Sequence, residues 1–219
     1  VWLLRISHIL CWRKMQLDYK NTPANAPAAI LAVRLYRGFS DEEALRWAIR
    51  IFDWLDANLV DPATGFVWDG KNRNGDNKID KDWEYTYCQG VYIGAAIELY
   101  RVTNDKSYKH KALRTVEETL RRLTDRETKL FVETGRGDVG LFKGILMRYL
   151  GVYLEQFDDP TVARVLKANA EWVWKHYRSD DIIVGDNWMK PAADTVELSA
   201  QLSGVMLFEA VSRMENTIG

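Results

Sequence analysis

Apolar positions recur with a helical period along almost the whole chain, and no stretch keeps the alternation of a strand for long. The pattern predicts helices at roughly 22–37, 41–59, 86–103, 106–123, 139–156, 160–177 and 194–214. Capping chemistry marks their starts. Thr22 precedes Pro23, Ser40 has Glu43 three residues on, Thr86 has Gln89, Asp159 precedes Pro160, and Asp194 has Glu197. The expected fold class is therefore all-α.

Charge divides these segments into two kinds that take turns. AAILAVRLY, GVYIGAAIELY, GLFKGILMRYLGVYL and LSAQLSGVMLFEAV are nearly uncharged. DEEALRWAIRIFDWL, YKHKALRTVEETLRRL and TVARVLKANAEWVWKHY are amphipathic and heavily charged. A helix that is apolar all round must be enclosed, and an amphipathic one shields it from water. The alternation predicts antiparallel hairpins of one inner and one outer helix, recurring about every 50–60 residues. An open α-solenoid and a closed (α/α) toroid both satisfy it. Gly and Ala on the inner set allow close backbone approach. The turns from inner to outer helix, RGFS and VTND, are short. The connections back, roughly 60–85, 124–138 and 178–193, are long, and long loops gathered at one end are where binding is expected.

The net charge of −1 gives no electrostatic reason to expect nucleic acid or a membrane as partner. No run reaches the length of a membrane span, and VWLLRISHILCW is interrupted by Arg5, Ser7 and His8, so it reads poorly as a secretory leader. The location is left open between the cytoplasm and an N-terminally truncated secreted protein. Cys11 and Cys88 make no disulfide framework, and the histidines show no zinc spacing. No metal and no cofactor is expected. The nine Trp and ten Tyr are many for 219 residues; most serve a core, and the rest suit stacking on sugar faces. The first long loop carries Asp69, Asp76, Asp80, Asp82 and Glu84 with Trp68 and Trp83; the third carries Asp180, Asp181, Asp186, Trp188 and Lys190. Carboxylates beside exposed indoles point to carbohydrate, and solvated acidic loops are the plainer alternative. Residues 72–83 also approach a calcium loop, but Asn stands at its sixth place and Trp83 at its twelfth, where a bidentate carboxylate belongs.

Thr86 and Gln89 have the spacing of a capping box. Capping leaves unexplained Trp83, Tyr85 and Tyr87 in the same turn, Lys20, Asn21 and Asn25 at the first inner helix, and Lys143 and Arg148 within the fifth. A buried Lys or Arg is costly unless paired or facing water, so these positions point to a wet pocket at one end of the inner helices.

The same residues resemble glycoside hydrolase family 76, the endo-α-1,6-mannanases with an (α/α)6 barrel. The resemblance rests on YKNTPAN (Tyr19–Asn25), VRLY (Val33–Tyr36), WAIRIFDWL (Trp47–Leu55), GFVWDG (Gly65–Gly70), YTYCQGVYIGA (Tyr85–Ala95) and LFKGILMRYL (Leu141–Leu150). It implies a sugar cleft lined by Asn21, Asn25, Gln89, Phe142 and Lys143, an oligo- or polysaccharide substrate, and retaining cleavage. Such cleavage needs two carboxylates about 5–5.5 Å apart, one of them held protonated as the acid.

The sequence also departs from that family. The family's catalytic residues are an adjacent Asp pair on an inner helix ahead of the YKN segment, and VWLLRISHILCWRKMQLD contains none. Asp158–Asp159 and Asp180–Asp181 are adjacent, but Asp159 reads as a helix cap and the second pair lacks the family's context. Cys88 stands where the family carries Asn. Seven helices fall short of the twelve of six hairpins, so residues 1–219 read as a single partial toroid, incomplete at the N-terminus and prone to self-association. The expected function is a glycoside hydrolase-like protein acting on α-1,6-linked mannan or a related glycan, impaired in catalysis. The alternatives are a noncatalytic carbohydrate-binding or scaffold protein, and another sugar-active (α/α) barrel such as an unsaturated glycuronyl hydrolase.

Overall fold

The computed structural model describes residues 9–13, 16–176 and 182–218. Asp180 and Asp181 lie outside the described residues. The chain forms two compact units, residues 1–118 and 119–219. Seven helices are found among the described residues: α1 (Thr22–Phe39), α2 (Glu42–Leu59), α3 (Thr86–Thr103), α4 (Lys106–Leu123), α5 (Val139–Gln156), α6 (Pro160–His176) and α7 (Leu198–Ile218). Six of them lie within about two residues of the expected positions. The seventh starts at Leu198 rather than Asp194, with the Glu197 carbonyl accepting from the Ala200 and Gln201 N–H groups.

The caps explain most of the small shifts. Asn21, not Thr22, caps α1, accepting from the Ala24 N–H at 3.3 Å. Asp41, not Ser40, caps α2, and Ser40 instead closes α1 in a left-handed conformation at φ 54°. Asn104 closes α3 in the same way at φ 55°. Asp159 caps α6 as expected, accepting from the Thr161 and Val162 N–H groups while its other oxygen takes the Tyr153 hydroxyl at 2.9 Å.

A small antiparallel sheet was not expected from the sequence. Its strands are β1 (Cys11–Arg13), β2 (Gln16–Asn21) and β3 (Gly70–Lys71), in that order, with Lys20 opposite Lys71 and Asn21 opposite Gly70. The sheet ties the residues that lead into α1 to the loop that leads into α3.

In the first unit α1 packs against α2 and α3. Every residue of α3 from Thr86 to Leu99 is buried, as an uncharged helix requires. Its single buried charge, Glu98, is paired with Arg34 at 3.3 Å and Arg37 at 3.1 Å, both from α1. In the second unit α5 lies close against α7. A Cβ on Gly144 would stand 2.7 Å from the Ser203 Cα, and the Ser203 hydroxyl accepts from the Gly144 N–H and donates to the Gly140 carbonyl. Within the lysine- and arginine-bearing stretch of α5, Arg148 is exposed and Lys143 is buried. Apolar rows remain exposed on α1 (Leu31, Leu35, Phe39) and on α7 (Leu198, Leu202, Val205).

Candidate functional site

The backbone segments ahead of the uncharged helices are fastened by side chains from the first turns of those helices. On α1 the fourth residue is Asn25, fully buried. Its amide oxygen accepts from the Leu10 N–H at 2.8 Å, and its NH2 donates to the carbonyls of Leu10 (2.9 Å) and Asn21 (2.8 Å). The fourth residue of α3 is Gln89, also fully buried. It accepts from the Val67 N–H at 2.9 Å and donates to the carbonyls of Val67 (2.7 Å) and Tyr85 (3.2 Å). The fourth residue of α7 is Gln201, which accepts from the Val184 N–H at 2.8 Å and donates to the Ile182 carbonyl at 3.2 Å. A side-chain amide used in this way replaces a neighbouring strand, giving the loop backbone the partners it would otherwise lack.

This arrangement corrects the capping-box expectation. Tyr85 is the N-cap of α3 with no side-chain cap bond, and Gln89 reaches to the loop. It also shows what Asn25 and Gln89 bond to. Both NH2 groups are fully occupied by main-chain carbonyls, so they frame the loops.

On α5 the fourth residue is the half-buried Phe142, and the fastening passes to Lys143. Its ammonium donates to the carbonyls of Glu133 and Asp186 and lies 4.9 Å from the centroid of the Trp188 ring. Burial pulls the Lys143 pKa down to about 8, against the upward pull of Glu133 and Asp186. Burial also opposes ionisation of Asp186. The Thr134 hydroxyl (2.6 Å), the Gly135 N–H (3.0 Å) and the charge of Lys143 outweigh it and hold that carboxyl below its usual range.

The best-held carboxylate of the first unit is Asp69, 3% exposed at the entry to β3. Tyr19 donates to one of its oxygens and Tyr87 to the other, and the Cys88 thiol lies 3.7 Å from the second. Gly70 leaves room for the Tyr19 ring, which any side chain there would strike. Burial, reinforced by this carboxylate, raises the pKa of Tyr19. The Tyr87 pKa is raised by burial, by Cys88 and by Asp69. The aromatic start of α3 is thereby explained: Tyr87 holds Asp69, and Trp83, Tyr85 and Tyr87 follow one another with centroids 5.8 and 5.7 Å apart. Sequence reading placed Asp69 among five loop carboxylates without singling it out.

Two other expectations change. Trp68 and Trp188 are buried, so neither is an open platform, and Trp83 is half-buried with the Arg73 guanidinium 3.9 Å from its ring centroid. In the calcium-like loop Asn72 accepts from the Asn77 N–H, Asp76 accepts from the Lys78 N–H, and one oxygen of Asp80 pairs with Arg73. Among the described residues no group of three carboxylate, thiol or imidazole side chains could hold a metal. No described helix is long and apolar enough to cross a membrane.

A chain of helices with few strands is what (α/α) toroid proteins show, and solved structures of that class superpose on this chain. The chain belongs to glycosyl hydrolase family 76, whose model matches residues 8–217. It is 36% identical to the GH76A alpha-1,6-mannanase from Salegentibacter sp. HEL1_6, with a TM-score of 0.88 over 94% of this chain and 63% of that one. A protein from Listeria innocua gives 36% identity and a TM-score of 0.91 over 95% of this chain and 60% of that one. Mannan endo-1,6-alpha-mannosidase DFG5 of Saccharomyces cerevisiae is 27% identical over 189 residues, which are 81% of this chain and 41% of that protein. Thus the chain spans less than half of this yeast relative and less than two thirds of these two solved relatives.

Two outcomes follow. Gln89→Ala removes the side-chain partner of the buried Val67 N–H and C=O, and is expected to cost about 2–4 kcal/mol, more than a lost cap. Chemical denaturation measures it; a loss below about 1 kcal/mol would mean water replaces the amide. Lys143 has a folded pKa of about 8 against 10.5 for the free side chain. The unfolded chain therefore binds more protons between these values, and stability rises with pH through that window. The penalty is fully present below pH 8 and is relieved as the pH climbs toward 10.5. Denaturation of wild type and Lys143→Met between pH 7.5 and 9.5, values chosen to bracket about 8, should show the extra upward slope in wild type alone.

Proposed function

We propose that this chain engages α-1,6-linked mannan, and that these 219 residues cleave it slowly or not at all. The observation that carries the reading is the 36% identity, over 94% of the chain, to the Salegentibacter mannanase. An inactive variant of that enzyme, with two adjacent aspartates replaced by alanine, was solved in complex with alpha-1,6-mannotetrose. The family match runs through both compact units, which supports treating them as one domain.

In this reading the sugar-binding residues are Asn21, Asn25 and Gln89 in the first unit and Phe142 and Lys143 in the second, and Asn25, Gln89 and Lys143 act by holding backbone of their own unit in place. The half-buried Phe142 is the group offered to the sugar, as an aromatic face, and Asp69 fixes the loop ahead of α3 through Tyr19 and Tyr87. The catalytic half of the proposal rests on the carboxylates. Retaining cleavage needs two of them about 5–5.5 Å apart. Among the described residues the adjacent pair Asp158–Asp159 is used differently: Asp159 caps α6 and binds Tyr153, and Asp158 is exposed.

Calorimetric titration with α-1,6-mannotetraose, followed by chromatography of the same mixture, tests both halves. Saturable binding that Asp69→Asn weakens at least about tenfold, with no products released, is the expected result. Absence of binding by folded protein would overturn the reading. Binding with product release would overturn only the claim of impaired catalysis.

A further inference from the structure

The turn that follows α2 recurs after α4. In the first copy the Asp61 carboxylate accepts from the Ala63 and Thr64 N–H groups, the Thr64 hydroxyl accepts from the Phe66 N–H, and Val60 pairs with Val67. In the second, Asp125 accepts from the Glu127 and Thr128 N–H groups, Thr128 accepts from the Leu130 N–H, and Thr124 pairs with Phe131. The next charged helix holds each turn at the same carbonyl: Thr115 donates to Gly65 and Asn169 to Lys129. Each copy thereby builds a surface groove, of about 440 Å³ in the first unit and about 470 Å³ in the second.

The two grooves have the same walls and opposite chemistry. In the first, Asp56 is paired with Lys111 at 2.7 Å and takes the Tyr92 hydroxyl at 2.5 Å, while Arg114 donates to the Pro62 carbonyl. At the corresponding places the second groove has Leu120 for Asp56, Val165 for Lys111 and Ala168 for Arg114. No carboxylate lines it, and its floor is apolar. At its edge stand Lys129 and Arg164, both exposed: Lys129 donates to the Arg126 carbonyl and lies near the Asp125 carboxylate, and Arg164 donates to the Pro160 carbonyl and the Thr161 hydroxyl. Lys129 occupies the position of Gly65 and keeps the left-handed backbone, φ 62° against 83°. A side chain there costs about 1–2 kcal/mol relative to glycine, so the cation is held against a local conformational preference.

We propose that the second groove is a binding site for an anionic amphiphile, a single aliphatic chain ending in a carboxylate. The chain would lie on Leu120, Val165 and Ala168, and the head group would meet Lys129 and Arg164. The volume is in the range of small-molecule sites, and an apolar floor with a few charged groups at its edge is their usual composition. A peptide fits less well, because the lining offers little to bond a peptide backbone.

The probe is decanoate, titrated into the whole chain by calorimetry beside decanol and acetate. Decanoate is expected to bind saturably, and decanol and acetate at least about tenfold more weakly, since one lacks the charge and the other the chain. Lys129→Gly restores the residue of the first copy and so should keep the fold. With Arg164→Gln added, it should weaken decanoate at least about tenfold. Ala168→Phe should fill the groove and abolish binding, with melting confirming that both variants fold. Equal binding of decanol, no saturable binding by wild type, or undiminished binding by folded Ala168→Phe would each overturn the proposal.

Discussion

The structure depends on one recurring interaction: a helix-borne side-chain amide bonded at both ends to the main chain of a loop. A loop that runs against a packed helix has N–H and C=O groups removed from water, and each one left unpaired costs about 1–3 kcal/mol. Asn25 meets this demand for Leu10, Gln89 for Val67, Asn169 for Phe131 and Lys129, and Gln201 for Val184 and Ile182. On α5 the place of the amide is taken by Lys143, whose ammonium can only donate, and which accordingly binds two carbonyls and no N–H. Long loops can therefore keep a fixed backbone without forming extended sheet. Asp69 benefits directly, since Gln89 grips Val67 two residues before it and Tyr87 grips its carboxylate from the same helix turn.

The sequence exposes the elements whose causes are local and hides those whose causes are distant. Helices were legible because period and cap chemistry lie within a few residues of one another, and the burial of α3 followed from its lack of charge. The three strands were not legible. β3 has two residues, and β2 finds one partner there, about 50 residues away. Gln89 shows the same limit within the site. Its spacing from Thr86 satisfies a local capping rule, yet its partner is Val67, 22 residues back. Trp68 and Trp188 were expected at the surface because their neighbours are polar, and tertiary packing buries both. Family membership was legible from short motifs in the right order, and the family model covers residues 8–217.

The repeated turn links fold and function. The same Asx-turn geometry serves two consecutive hairpins, and the residues around it are free to differ because the turn needs only its Asp, its Thr and a left-handed position. The first copy closes its groove with an internal ion pair, and the second leaves an apolar floor edged by cations. The backbones of the loops ahead of α3 and α5 are likewise bonded to buried helix residues.

Hydrogen exchange resolved by residue tests the central claim most directly. If helix-borne amides carry the loops, the Val67 and Val184 N–H groups should exchange only through large-scale opening, far more slowly than Gly75 or Asp76 in the exposed part of the first long loop. Exchange of Val67 and Val184 at the rate of Gly75 would contradict the account, because it would mean that the loops open without releasing the helices.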